Sequence, residues 1–165
     1  MRLLVVVDAQ NLWGSVRGKY GPDARIDYLK LRKLAKGENN YTDIRYRAYI
    51  GGVRPESGSS FARVLRALGY QVVAIGAKTP NISSSNWDSG IIVDVLGEID
   101  TFDHLTLVTG DGDFLPLVAK LKESGKLVRL VTIPHTANPR LAAACDEVRL
   151  IDEKYVMRKK HESGV

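Results

Sequence analysis

The chain of 165 residues has one cysteine and no long hydrophobic run, and these shortages exclude several classes of protein. The single Cys145 rules out an internal disulfide and favours a reducing, cytoplasmic location. No run approaches the roughly 20 apolar residues of a membrane helix, so we expect no membrane association. The apolar start reaches Asp8 without a small-residue cleavage site, which favours a first strand over a signal peptide.

Several catalytic and cofactor motifs are also missing. No Walker loop or GxGxxG follows a strand-like run, which argues against nucleoside triphosphate or dinucleotide binding. The three histidines show no metal-ligand spacing, and the twelfth position from Asp111 is Lys122, not the glutamate of an EF-hand. What the chain does have is a net charge of +5, which favours an anionic partner such as nucleic acid.

Short apolar runs alternate with helix-like patterns along the chain. This alternation predicts an α/β fold, with a parallel sheet that carries helices on both faces. We predict one domain over residues 1–152, followed by a charged tail over 153–165 that frays. The predicted strands are 3–7, 44–50, 71–75, 104–108, 127–132 and 148–151, and the clearest helices are 28–36, 61–69, 88–99 and 115–124.

Acidic residues follow two of the predicted strands. Asp8 comes directly after the first strand, with Asn11 three residues later, and Asp111 and Asp113 follow the strand over 104–108. In open parallel sheets, ligands bind beyond the carboxyl ends of the strands. We therefore expect these side chains to lie at one edge of the sheet.

A further acid is placed by helical periodicity. At roughly 100° per residue, Asp88 falls near the middle of the apolar stripe of its helix, whereas Asp94 projects about 120° away from it. Asp88 is therefore the stronger site candidate. Each acid also has a structural interpretation, since Asp88 and Asp113 suit helix N-caps and Asp8 suits a turn.

Clustered carboxylates without cysteine or histidine ligands suit a hard cation, Mg²⁺ or Mn²⁺. Such sites recur in phosphodiester hydrolysis, where the metal activates water and neutralises the phosphate. The Asp-Gly-Asp pair also fits a sugar-nucleotide transferase, but the placement of Asp8 and Asp88 favours a nuclease.

Basic and aromatic residues supply candidate contacts to nucleic acid. The two tryptophans adjoin the proposed site and suit stacking on unpaired bases, although packing at helix starts explains them equally well. The alternative for the basic residues is an ordinary solvated surface. The candidates are Trp13, Trp87, Arg45, Arg47, Arg54, Arg63, Arg66 and Lys78.

The set "VVVDAQN", "WDSGIIVDVL" and "TGDGDFLPLV" resembles the NYN domain family of PIN-like nucleases, which includes the LabA-type bacterial proteins. The resemblance extends from Leu3 to about Ile151. It implies a three-layer PIN-like, Rossmann-like fold with five to six parallel strands, and metal-dependent hydrolysis of single-stranded or structured RNA. It also implies a catalytic and metal-binding set of Asp8, Asp88, Asp111 and Asp113, supported by Asn11, Asp94, Thr109 and Gly110.

The chain departs from the family pattern at two places. "SNWD" stands where the family often has "KGVD", and Gly112 replaces a usual serine. The missing lysine supports an alternative function, a non-catalytic or weakly catalytic RNA-binding module on the same fold. A homodimer is a further expectation, for which the alternating strand over 44–50 offers an edge.

Overall fold

The computed structural model describes residues 1–51, 60–75 and 87–158. Its centre is a six-stranded sheet in which every neighbouring pair of strands is parallel. A separate pair of short strands is antiparallel. The strands are β1 (Arg2–Asp8), β2 (Ala24–Ile26), β3 (Asp43–Gly51), β4 (Gln71–Ile75), β5 (His104–Val108), β6 (Leu127–Thr132), β7 (Glu147–Leu150) and β8 (Val156–Arg158).

Helices cover both faces of the large sheet, which confirms the predicted α/β architecture. The central strand β1 shows why: Leu3, Val5 and Val7 pack with one group of helices, whereas Leu4 and Val6 pack with the other. The helices are α1 (Ala9–Tyr20), α2 (Tyr28–Lys36) and α3 (Ser60–Ala67) on the first face, and α4 (Trp87–Gly97), α5 (Leu115–Glu123) and α6 (Pro139–Ala144) on the second.

The strand order is β4-β3-β1-β5-β6-β7. The chain therefore builds outward from β1 in one direction through β3 and β4, then returns and builds through β5, β6 and β7 in the other. This arrangement is the doubly wound topology, and the direction reverses between β1 and β5. The carboxyl ends of these two strands border the crevice in which such sheets bind ligands.

Local signals define the ends of α2 as the sequence predicts. The Asp27 carboxylate accepts hydrogen bonds from the backbone N–H groups of Leu29 and Lys30, which caps the start of the helix. Gly37 ends the helix with a φ of 67°, a conformation that glycine adopts without a steric penalty. Across the described ranges, no helix combines the length and hydropathy needed to cross a membrane.

The segment after residue 152 continues the fold. Glu153–Tyr155 forms a 3-10 turn, and β8 then pairs antiparallel with β2. The charged sequence of this segment does not predict β8, because a three-residue strand is stabilised more by its partner, here β2, than by its own composition. The fold therefore extends at least to Arg158, beyond the predicted start of the tail.

The strand over 44–50 is not an edge, contrary to the sequence-based expectation. It forms β3, which lies between β1 and β4. Its polar positions have a different cause, because Arg45 and Arg47 both form ion pairs with Glu98, which follows α4. The alternation of apolar and polar residues in β3 is therefore explained by ion pairs with Glu98. Because β3 lies inside the sheet, it offers no edge to a second copy of the chain.

A buried arginine joins the end of α2 to the strands β6 and β7. Arg129 on β6 is 1% exposed, and its Nη1 donates to the backbone oxygens of Ala35 and Lys36, each at 2.9 Å. Its Nε donates to Glu147 at 2.7 Å. These bonds satisfy carbonyls at the end of the helix that have no partner within it. A Cβ on Gly37 would lie 2.8 Å from Nη2 of Arg129, so glycine is required there.

The neighbouring His104 gives the folded state a pH dependence. Its Nδ1 lies 2.7 Å from the hydroxyl of Tyr41, and burial together with the positive charge of Arg129 lowers the pKa of His104 to about 4. Between pH 6.5 and about 4 the unfolded chain binds a proton at this residue that the folded chain does not. The free energy of unfolding contributed by His104 therefore falls as the pH is lowered through this window.

We predict that His104→Gln flattens this dependence. Urea unfolding between pH 4 and 7 is the measurement, and the difference between the wild type and the variant isolates His104 because all other titrating groups are shared. The exposed His135 provides the matched control, and His135→Asn should retain the wild-type slope. An unchanged slope in His104→Gln would contradict the prediction.

Candidate metal centre

The loop after β5 is tied to the end of β1 by two hydrogen bonds. The hydroxyl of Thr109 donates to Oδ2 of Asp8 at 3.2 Å, and the backbone N–H of Gly110 donates to Oδ1 of Asn11 at 2.9 Å. The Thr109 hydroxyl also accepts from the backbone N–H of Asp111 at 3.2 Å. These contacts fix the loop that carries Asp111 and Asp113 across the switch point of the sheet.

Asp8 has a structural role at the base of the site. It is 2% exposed, and its Oδ1 accepts from the backbone N–H of Asn11 at 3.2 Å, which caps α1. Burial raises the pKa of Asp8, and the bonds from Asn11 and Thr109 partly oppose this effect. One oxygen of Asp8 therefore caps a helix, where the sequence suggested a turn, while the other oxygen holds Thr109.

Three other carboxylates converge above this base. Asp88, Asp111 and Asp113 each offer an oxygen, and these oxygens all lie within 4.8 Å of one another. Asp88 is the second residue of α4 and therefore lies inside its first turn. No side chain caps α5, so Asp113 is not the cap of that helix. The carboxylate of Asp111 accepts from the backbone N–H of Asp113 at 2.9 Å, which holds the two together.

The crowding of these groups changes the protonation of Asp88. Burial is the largest cause, and the negative charge of Asp111 adds to it, so that the pKa of Asp88 rises to about 7. Asp8 also raises this pKa through its charge. Without a cation, the group therefore relieves its repulsion by holding a proton near neutral pH.

The donor set fits a hard divalent cation. All three donors are carboxylate oxygens, which suit Mg²⁺ and Mn²⁺, and the described residues place no cysteine or histidine with them. Ligands on opposite sides of Mg²⁺ lie about 4.2 Å apart, because each Mg–O bond is about 2.1 Å long. The three oxygens approach this spacing before any ion draws them together, and water completes the ligand set of such ions.

The loop after β5 packs closely on the loop before α6. A Cβ on Gly110 would lie 2.9 Å from the backbone oxygen of Thr136, and one on Gly112 would lie 2.5 Å from Nδ2 of Asn138. Asn138 in turn caps α6 through the backbone N–H groups of Arg140 and Leu141. The sequence does not predict the contact between Gly112 and Asn138, because the position of Asn138 before Pro139 indicates only a helix cap.

Asp94, predicted as a supporting residue, lies elsewhere. It accepts a hydrogen bond from the hydroxyl of Tyr49 at 2.8 Å and lines a cavity of about 400 Å³ together with Arg47 and Glu98. Asp94 is not part of the three-carboxylate group. It faces away from that group because it projects from a different side of α4 than Asp88 does.

The predicted nucleic-acid contacts fall into three sets. Arg45 and Arg47 are engaged with Glu98, and Arg47 is buried, so neither is a free surface cation. Three of the predicted contacts are exposed on the helices of the first face, namely Trp13 on α1 and Arg63 and Arg66 on α3. Those outside the described residues are Arg54, Lys78 and the side chain of Trp87.

A doubly wound sheet with carboxylates gathered at its switch point defines the class of the molecule, an α/β protein with a candidate site at the carboxyl edge of the sheet. The sequence model of the NYN domain matches residues 2–152, and the chain belongs to the NYN domain family. NYN domains are PIN-like nuclease domains. The family resemblance predicted from the three motifs is therefore confirmed.

A solved structure shares the fold. The crystal structure of a protein of unknown function from Vibrio parahaemolyticus superposes with a TM-score of 0.80, covering 94% of this chain and 96% of that chain at 24% sequence identity. This similarity confirms the α/β fold over nearly the whole chain. No curated protein matches the sequence.

The pKa of Asp88 leads to a prediction about cation affinity. Below pH 7, Mn²⁺ must displace a proton from Asp88, so we expect its affinity to rise up to about tenfold per pH unit and to level off above pH 7. Titration calorimetry in buffers of different ionisation enthalpy measures the affinity and the released proton. Asp88→Asn should bind Mn²⁺ more weakly and with less pH dependence, whereas a pH-independent wild type would contradict the prediction.

The contact between Gly112 and Asn138 leads to a second prediction. Gly112→Ser displaces the Asn138 side chain and uncaps α6, so we expect a loss of about 1 kcal/mol in the free energy of unfolding. Asn138→Gly removes the clashing atoms, so the double variant should be more stable than the sum of the single effects. Urea denaturation of all four proteins measures this coupling, and additive effects would refute it.

Proposed function

We propose that this protein is a metal-dependent ribonuclease that hydrolyses RNA phosphodiester bonds. The observation that supports the proposal is the convergence of Asp88, Asp111 and Asp113 at the switch point, in a member of a nuclease family. A divalent cation bound there would supply an activated water and would neutralise the charge of the phosphate.

The four aspartates of the site would have two different roles, holding the cation and orienting the loop after β5. Asp88, Asp111 and Asp113 would hold Mg²⁺ or Mn²⁺, since their oxygens face a common point. Asp8 is buried and bonded to Thr109, so it orients the loop and adds negative charge from below. The start of α4 favours a negative charge on Asp88 once its proton has left.

The net charge supports a polyanionic substrate. A centre made of carboxylates repels a phosphodiester, so binding requires cations elsewhere on the protein. The chain carries 24 lysines and arginines against 19 acids, and Arg63 and Arg66 lie exposed on α3. Positive charge of this kind follows a nucleic-acid backbone without reading its sequence.

Cleavage of short RNA and DNA oligomers with Mg²⁺, Mn²⁺ or EDTA tests the proposal. We expect RNA cleavage that requires the cation. Asp111→Asn should lower the rate on the order of 100-fold or more, because it removes a carboxylate that holds the metal. Asp100→Asn is the matched control, since Asp100 is an exposed acid outside the group, and it should cleave at the wild-type rate.

The alternative is a non-catalytic RNA-binding module on the same fold, which the "SNWD" departure favours. It predicts RNA binding without cleavage under every metal condition. Wild-type protein that binds RNA but leaves all oligomers intact would reject the nuclease and support this alternative.

A further inference from the structure

An open groove lies on the face of the sheet covered by α1 and α3. Its volume is about 440 Å³, within the range of small-ligand sites, roughly 300–1,000 Å³. Its walls come from α1, α3, β2 and β8 and from Tyr28 at the start of α2. Four large apolar side chains in this groove remain exposed, namely Trp13, Phe61, Val64 and Met157. Apolar exposure concentrated in this way marks a binding surface.

Three aromatic rings line the groove. Trp13 is 61% exposed, and Tyr28 and Phe61 pack edge to face with their centroids 5.5 Å apart. The guanidinium carbon of Arg17 lies 4.5 Å from the centroid of the Trp13 ring. This arrangement fixes the indole while leaving most of it open to solvent.

The charge of the groove has one sign. Among the described residues that line it, only Arg17 and Arg25 are charged. Neither arginine forms an ion pair with a carboxylate in the described parts of the chain. Among the described residues, the groove therefore combines stacking surfaces with positive charge that no carboxylate neutralises.

The groove lies next to the carboxylate centre. Asp8 caps α1, and Trp13 follows five residues later, about 7.5 Å along the helix axis. Tyr28, which forms part of the groove, lies near enough for the charge of Asp8 to raise its pKa, although burial is the larger cause. A chain lying in the groove would therefore lead towards the centre.

We propose that this groove binds an unpaired stretch of the RNA substrate, with a base stacked on Trp13 and phosphates near Arg17 and Arg25. This inference rests on the proposed ribonuclease function and specifies its substrate as single-stranded on one side of the cleaved bond. Aromatic rings stack on every base, so the groove selects for unpaired nucleotides and not for sequence.

The charge pattern favours nucleic acid over a second copy of the chain. A self-association surface that carries two arginines without a carboxylate partner among the described residues places like charges together, which opposes pairing. A polyanion satisfies these arginines and the exposed aromatic rings at the same time.

Fluorescence anisotropy with a labelled RNA oligomer, in EDTA to prevent cleavage, tests the proposal on the full-length protein. Trp13→Ala should weaken binding of single-stranded RNA about 5- to 150-fold, the loss expected for one base–aromatic stack. Binding of a fully paired duplex of the same sequence should change far less. Equal weakening for both forms, or no weakening, would overturn the proposal.

Matched variants separate stacking from general damage. Leu150→Ala removes another exposed apolar side chain, on β7, and should leave the affinity unchanged. Arg17→Gln should lower the slope of log affinity against log salt by about 0.7, the value for one phosphate contact on a single strand. Lys120→Gln removes an exposed charge from α5 on the other face and should leave the slope unchanged. An unchanged slope in Arg17→Gln would overturn the phosphate contact.

The two proposals fail in different ways. Weaker binding by Trp13→Ala, in a wild type that cleaves nothing, would support the groove and reject the nuclease. Unchanged binding alongside metal-dependent cleavage would reject the groove alone. Sedimentation velocity adds one outcome, since a dimer lost on Trp13→Ala with unchanged RNA affinity would identify the groove as a self-association surface and overturn the proposal.

Discussion

The centre depends on the hydrogen bond between Thr109 and Asp8. β1 and β5 are adjacent parallel strands, but their pairing alone does not determine the path of the chain beyond their ends. The Thr109 hydroxyl joins the two ends through Oδ2 of Asp8, and the bond from Gly110 to Asn11 holds the loop a second time. Because Asp111 and Asp113 sit on this loop, these contacts hold their carboxylates next to the end of β1.

Holding the loop after β5 in place brings like charges together, which is electrostatically unfavourable. Three carboxylates held within 4.8 Å repel one another, and burial of Asp88 makes the repulsion stronger. A freely moving loop would separate them, whereas the tethered loop keeps Asp111 and Asp113 beside Asp88, which holds a proton near neutral pH. The same repulsion would favour a bound divalent cation, because its charge offsets that of the carboxylates.

Helix α1 connects the centre to the groove. Its first turn is capped by Asp8 at the carboxylate centre, and its exposed side carries Trp13 and Arg17 along the groove. The opposite wall includes Met157 on β8, a strand that pairs antiparallel with β2. A charged segment predicted to fray therefore completes a surface near the carboxylate centre.

The sequence by itself predicted the six strands of the large sheet, the clearest helices and a set of candidate acids, but not α1, β2 or β8. Apolar runs predict the strands, Asp27 and Gly37 predict the ends of α2, and strand-end position with helical phase predicts Asp8, Asp88, Asp111 and Asp113, since all these signals are local. Tertiary structure alone decided that Asp8 is buried as a tether, that Asp94 bonds to Tyr49, that Arg47 pairs with Glu98 and that Gly112 lies against Asn138. These outcomes depend on which distant segments become neighbours, and the pattern around each residue carries no information about its partner.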